Sequence, residues 1–444
     1  MNKIKRRAFI LTALVLLLIG GVCFYLYSYV AHGAEWVDYP SNKHLYSGGQ
    51  PLLGTIYDRN GEILAQSVDG KRLYHEDAEV RRAMLHLIGD NAGKIGAGVQ
   101  SKFSKELTGF SLVSGLFNKN TALTSVKLTA DADISRAAYE ALAGYKGAVV
   151  AYNYKTGAML CAVSSPNFDP NNIPDDLEEN PSYSGVYINR CFGATYTPGS
   201  VMKVVTSMAA IEKIDDIFEQ KFVCEGSCYI DGKKITCQNT HGTIDFKTAL
   251  AKSCNCAFAE IAQQLGAETL IEYFKRAGLA DSMNINGIYS PAGRIDNWED
   301  NPNELAWAGI GQSTNLVTPV AMMRLMGGIA NGGKAVNPKL VHSLGVKQTE
   351  LMPASTAEKL TEMMRNATET VYGDSSFPDV LNGYVCAKSG TAQIDGETSN
   401  SWFCGFVATD RYPCAFAVIA EHAGAGSGVA KEIAARVLTA VVED

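Results

Sequence analysis

The chain has 444 residues, with 39 Lys and Arg against 46 Asp and Glu, a formal net charge of -7. That acidic balance leaves no basic footprint, so nucleic acid is excluded as a partner. The length allows one large or two medium domains, with ample core.

Residues 1–7 hold Lys3, Lys5, Arg6 and Arg7, and residues 8–30 then run without a charge. A run of that length spans a bilayer core as a transmembrane helix. The basic flank predicts a cytoplasmic tail, with everything after the span outside, and Tyr25, Tyr27 and Tyr29 fall where an outer aromatic belt belongs. The competing reading is a signal peptide cleaved near His32-Gly33-Ala34. The apolar run is longer than a usual signal core, which favours the anchor. Residues 31–50 are polar and rich in turn formers and read as a linker.

Asn60-Gly61, between two short strand-like runs in 55–65, is a hairpin signal. Residues 77–107 mix helical stretches with Gly89, Gly93, Gly96 and Gly98. Gly93-Lys94 is not a phosphate loop, because Ile88 stands where the first glycine belongs and Ile95 follows the lysine. Residues 147–153 and 158–165 are apolar and strand-like, joined by the turn Tyr154-Lys155-Thr156-Gly157. They predict the first hairpin of an antiparallel sheet. Further strands are expected over 401–408 and 414–421, with a helix over 429–442; residues 284–303 read as loops.

Pro198 and Gly199 punctuate the chain before an apolar run over 201–210, which reads as a buried helix with Ser200 in its first turn. Residues three apart share a helix face, so Lys203 lies within reach of the Ser200 hydroxyl. A desolvated lysine is a base able to activate a serine nucleophile. Alone, such a pair is common and reads as an N-terminal serine with a snorkelling lysine. Two further stretches change the weight: Ser253-Cys254-Asn255, at a break in the helical pattern of 243–266, and Lys388-Ser389-Gly390-Thr391, after the apolar Val385-Cys386-Ala387. On a strand, Ser389 and Thr391 point one way and Gly390 the other, and Gly390 permits close backbone approach.

The eleven cysteines include Cys161, Cys386, Cys404 and Cys414 in apolar runs, which read as small buried hydrophobes. Cys224, Cys228, Cys237 and His241 are ligand types that suit zinc. Their C-x3-C-x8-C-x3-H spacing is irregular for a zinc knuckle, and outside the membrane paired cysteines are more often disulfides. A Cys224–Cys237 disulfide or free thiols is therefore expected, other pairings with Cys228 stay open, and no metal site is assigned. His241 reads as structural.

The ordered set S-x-x-K, S-x-N and K-[ST]-G is the penicilloyl-serine transferase signature. With the D-R-N-G-x-x-L-A-like stretch from Asp58 and the membrane anchor, the chain resembles class B penicillin-binding proteins from about residue 50 to 440. Leu53 departs from that family's usual arginine. The resemblance implies an α+β fold, an antiparallel sheet flanked by helices. It implies an N-terminal pedestal domain over 51–143 and a transpeptidase domain over 144–444, with a long helix over about 320–330 after Val317-Thr318-Pro319 and no appended domain after the last helix. The implied activity is serine-type D,D-transpeptidation of peptidoglycan stem peptides, with β-lactams as inhibitors and no cofactor. Ser200 would be the nucleophile and Lys203 its base. Ser253 would relay protons, Asn255 would orient Lys203 and bind substrate backbone, and Cys254 would pack away from the cleft. Lys388, Ser389 and Thr391 would bind a carboxylate, and the N–H groups of Ser200 and Thr391 would form an oxyanion hole. A membrane-embedded glycosyltransferase and other cell-wall synthesis proteins are the implied partners. A serine β-lactamase, a D,D-carboxypeptidase and a scaffold activating a glycosyltransferase are the alternatives.

Overall fold

The computed structural model describes residues 2–33, 53–69, 71–109, 124–342, 345–394 and 398–444. From residue 34 on, the expected linker falls outside them. The charge-free N-terminal run forms one helix, Asn2–His32, long and apolar enough to cross a membrane and with none of its apolar window buried against protein.

A five-stranded sheet organises the rest. Its order is Val385–Gln393, Ser399–Val407, Cys414–Ala420, Gly147–Asn153 and Met159–Ser165. Every neighbouring pair is antiparallel. Both faces are covered, so the strands read as continuous apolar runs rather than alternating ones. Val149, Ala151 and Val163 pack on one face with Ile433, Val437 and Leu438 of the C-terminal helix Val429–Glu443, and with Ala138 and Leu142. Ala148, Val150 and Tyr152 belong to the opposite core, with Met322 and Met326 of Pro319–Ala330 and with the helix Lys203–Lys213. The period-2 alternation of side chains across a strand makes these two cores from one sequence run. Val385–Gln393 ends up as an edge strand, open on one side.

The predicted hairpin at Asn60-Gly61 pairs Thr55–Tyr57 with Ile63–Val68. Asp58 Oδ1 closes the turn by accepting from the N–H groups of Asn60 and Glu62 at 2.8 Å each. Lys71–Tyr74 and Ser125–Lys127 complete a four-stranded sheet. The helix Ala132–Leu142, which the domain reading placed with this N-terminal part, packs its buried face on the central sheet and the C-terminal helix. Among the described residues, two helices longer than one turn lay outside the sequence expectations. Pro302–Ile310 falls within and beyond the run read as loop, although Asn301 caps it, Pro302 opens it and Gly311 ends it left-handed. The other is Ala354–Ala367.

The helix Ala78–Ile88 is tied to the loop after Met159–Ser165 by a two-pronged ion pair. Arg81 Nε and Nη2 donate to Asp169 at 2.7 and 2.6 Å, with both side chains largely buried. The arginine holds the Asp169 carboxyl below its usual range, first through these hydrogen bonds. Arg81→Ala leaves a buried carboxylate unpaired and is expected to destabilise by about 3 kcal/mol, whereas Arg81→Ala with Asp169→Ala recovers part of that loss. Chemical denaturation of the two variants in detergent checks both.

Candidate active site

The Ser200 turn is a short 3-10 segment, Gly199–Met202, running directly into the helix Lys203–Lys213. Gly199 has φ +56°, and a Cβ there would lie 2.6 Å from the carbonyl oxygen of Thr391. Its N–H donates to the carbonyl of Gly311 at 2.8 Å, where the backbone is again left-handed, φ +92°. Two glycines therefore let the Ser200 turn sit against both the edge strand and the end of Pro302–Ile310. Trp402 Nε1 fixes the approach by donating to the carbonyl of Thr197 at 3.0 Å.

Lys203 is fully buried. Its Nζ donates to the Ser253 carbonyl at 2.6 Å, to Asn255 Oδ1 at 2.8 Å and to Ser253 Oγ at 3.2 Å. Those three contacts match the three donors of an ammonium. With Lys203 neutral, the Ser253 hydroxyl donates to the nitrogen lone pair instead. Burial, and then the charge of Lys388, push Lys203 well below the ordinary lysine range. Ser200, half-buried, lies three residues earlier, in the 3-10 segment rather than in the first turn of the helix that the sequence predicts.

Ser253 and Asn255 are presented by a break between the helices Phe246–Ala251 and Asn255–Arg276. Ser253 takes φ +56°, a left-handed conformation uncommon for serine, and strain of this kind persists only where surrounding contacts dictate it. Asn255 is held from behind: its Nδ2 donates to the Thr236 carbonyl at 2.8 Å and its N–H points to Cys237 Sγ at 3.3 Å.

Lys388-Ser389-Gly390-Thr391 lies on the edge strand as expected, with Ser389 and Thr391 half-buried and Lys388 and Gly390 buried. Lys388 Nζ donates to the Ser389 carbonyl at 2.9 Å, and burial lowers its pKa to about 7. Tyr372 is a residue the sequence reading missed. It ends the π-helical turn Thr368–Tyr372, and its hydroxyl accepts from the Ser389 N–H at 2.9 Å and sits 3.0 Å from Ser389 Oγ. No sequence signal marks it; only the packing of that turn beside the strand does. Gln312 Nε2 donates to the Thr391 carbonyl at 3.2 Å. A cleft of about 800 Å³ lined by Asp281, Arg324 and Lys339 opens elsewhere and contains none of the motif residues.

The structure thus joins Lys203, Ser253 and Asn255 by direct hydrogen bonds and sets the Lys388 strand against the Ser200 turn. A family profile described as the penicillin binding protein transpeptidase domain matches residues 147–439. The chain belongs to that family. The peptidoglycan D,D-transpeptidase PbpA of Mycobacterium tuberculosis is 28% identical over 333 residues, covering 67% of this chain and 66% of that protein. Stage V sporulation protein D of Bacillus subtilis is 29% identical over 265 residues, covering 55% of this chain and 39% of that protein. The chain thus spans less than two thirds of the length of these curated relatives. Among solved structures, the D,D-transpeptidase domain of a peptidoglycan glycosyltransferase from Eggerthella lenta superposes with TM-score 0.77 at 25% identity, covering 88% of this chain and 98% of that one. Penicillin-binding protein A of M. tuberculosis, solved as a ceftriaxone acyl-enzyme complex, shares the fold with TM-score 0.77 at 23% identity, covering 88% and 98% of the two chains.

The cysteine expectations divide. Cys161, Cys386, Cys404 and Cys414 are buried as small hydrophobes. All eleven cysteines are free thiols, which for Cys224 and Cys237 is the second of the two expected states. His241, read as merely structural, has its Nδ1 at 3.5 Å from the sulfurs of both Cys224 and Cys237. Cys254 does pack away from the cleft, as expected, but into this same group. Local spacing could not reveal it, because Cys254 arrives from another part of the chain.

Gly311→Ala forces a side chain into a left-handed site and against the Gly199 carbonyl. We expect a loss of about 2 kcal/mol or more of stability and a weakened reaction of Ser200 with penicillin. Thermal denaturation and gel fluorescence with a labelled penicillin read the two effects. Tyr372→Phe should leave stability within about 1 kcal/mol yet slow penicillin acylation, because Ser389 loses its anchor.

Proposed function

We propose that the chain is a membrane-anchored peptidoglycan D,D-transpeptidase that cross-links stem peptides through an acyl-enzyme on Ser200. The observation that carries the reading is the buried Lys203, held to both Ser253 and Asn255 one helical turn from Ser200. The relatives' names and the family match support the same class of chemistry.

Lys203 takes the Ser200 proton as Oγ attacks the carbonyl of the penultimate D-Ala of a pentapeptide stem. The N–H groups of Ser200 and Thr391 receive the developing oxyanion. Ser253 passes the proton from Lys203 to the departing D-Ala amine, and the acyl group stays on Ser200. An amine of a neighbouring stem then attacks, and the same groups return its proton. Lys388, Ser389 and Thr391 hold the substrate carboxylate, and Gly390 lets the peptide backbone lie along the open strand edge. β-Lactams acylate Ser200 as substrate mimics. The helix Asn2–His32 anchors the chain, with its basic tail in the cytoplasm and the catalytic domain outside. A membrane-embedded glycosyltransferase and other cell-wall synthesis proteins are its partners.

The test uses the full chain in detergent with a fluorescent penicillin, read by intact mass. We expect a long-lived adduct that is missing in Ser200→Ala. Rapid turnover with no lasting adduct overturns the reading in favour of a β-lactamase; no reaction of the folded chain favours a scaffold.

The two lysines set the pH profile. Burial first, and then the charge of Lys388, favour the neutral form of Lys203. Acylation therefore rises as Lys203 becomes neutral and falls as pH passes about 7, where Lys388 loses the charge that holds the carboxylate. Lys388→Arg, charged at every working pH, should remove the falling limb. Stopped-flow acylation across pH checks this.

A further inference from the structure

Cys224, Cys237, His241 and Cys254 place one donor atom each within 4.8 Å of all the others. They come from separate pieces of chain. Cys224 ends the strand Lys221–Cys224, and Cys237 and His241 flank the segment between Lys233–Thr236 and Gly242–Asp245. Cys254 is the N-cap of Asn255–Arg276. We propose that these four residues hold a zinc ion that fixes the loop carrying Ser253 and Asn255.

The geometry suits the ion. With Zn–S of about 2.3 Å and Zn–N of about 2.0 Å, a tetrahedral centre has sulfur-to-nitrogen edges of about 3.5 Å and sulfur-to-sulfur edges of about 3.8 Å. Both measured sulfur-to-Nδ1 distances are 3.5 Å. Three thiolates with one imidazole select a soft cation, zinc foremost, and four protein donors make a closed structural centre rather than an open catalytic one. A disulfide between any two of these thiols leaves the third sulfur and the imidazole without a common partner. On binding, the three thiols release their protons to solvent.

The surroundings need such a clamp. Among the described residues, Ser227–Ile230 pairs only with Lys233–Thr236, and Lys221–Cys224 only with Gly242–Asp245. Isolated two-stranded pairs are marginal in water. Their buried apolar side chains are few: Phe222, Cys224, Ile235 and Ile244. The Cys237 sulfur also accepts the N–H of Asn255, as a ligating thiolate does from its outer shell. The ion would thus grip the chain immediately between Ser253 and Asn255, the two residues that hold Lys203. Metal binding itself is independent of the transpeptidase reading; its effect on acylation rests on that reading.

The experiment is metal analysis of the full chain, purified in detergent without chelator, with cysteine oxidation read by mass spectrometry. We expect about one zinc per chain and no disulfide among the three cysteines. Cys237→Ser and His241→Ala should lose most of the metal, while Cys228→Ser, beside the group but outside it, keeps it. Cobalt substitution gives a thiolate-to-cobalt charge-transfer band that Cys237→Ser weakens. Little metal in the wild-type chain grown with added zinc overturns the proposal. So do full metal content in both ligand variants and a disulfide among Cys224, Cys237 and Cys254. Chelation to verified metal loss should slow penicillin acylation about 10- to 100-fold, and unchanged acylation overturns the role in holding Ser253 and Asn255.

Discussion

A lysine amine out of reach of solvent is the constraint on which this site depends. Burying an ammonium costs several kcal/mol unless its donors find acceptors. Lys203 finds them in one backbone carbonyl, one amide oxygen and one hydroxyl, all from a single break between two helices. The break must therefore sit where it does, and Ser253 accepts a strained backbone to put both carbonyl and hydroxyl on the same nitrogen. The same burial that makes the lysine expensive to charge favours its neutral form.

A second lysine, Lys388, is buried on the edge strand and aligned by Tyr372 and the Ser389 carbonyl. Two cations cannot both keep ordinary pKa values in one dry place, and the environments push them apart. The strand and the Ser200 turn come close because Gly199 and Gly311 present no side chain where the backbones meet. Sheet, turn and helix break form one arrangement, and a change at any of the three displaces the others.

The weakest part of the scaffold lies directly behind the strongest interaction. Two short strand pairs with little core support Asn255 through the Thr236 carbonyl and the Cys237 sulfur. A four-donor sulfur and nitrogen cluster at that point stiffens a region that apolar burial alone leaves loose. It connects the small β module to the catalytic residues by way of Cys254, the middle residue of the second motif.

Much of this was legible in the chain itself. The apolar N-terminal run, the hairpin at Asn60-Gly61, the 147–165 hairpin and the 201–210 helix follow from periodicity and turn chemistry, which are local. The three motifs are local too, and resemblance linked them to one site. Tyr372, the strained Ser253, and the meeting of Cys254 with Cys224, Cys237 and His241 were decided only in three dimensions. Each depends on contacts between segments far apart in sequence, and spacing along the chain carries no information about which side chains the packing of helices and strands brings together.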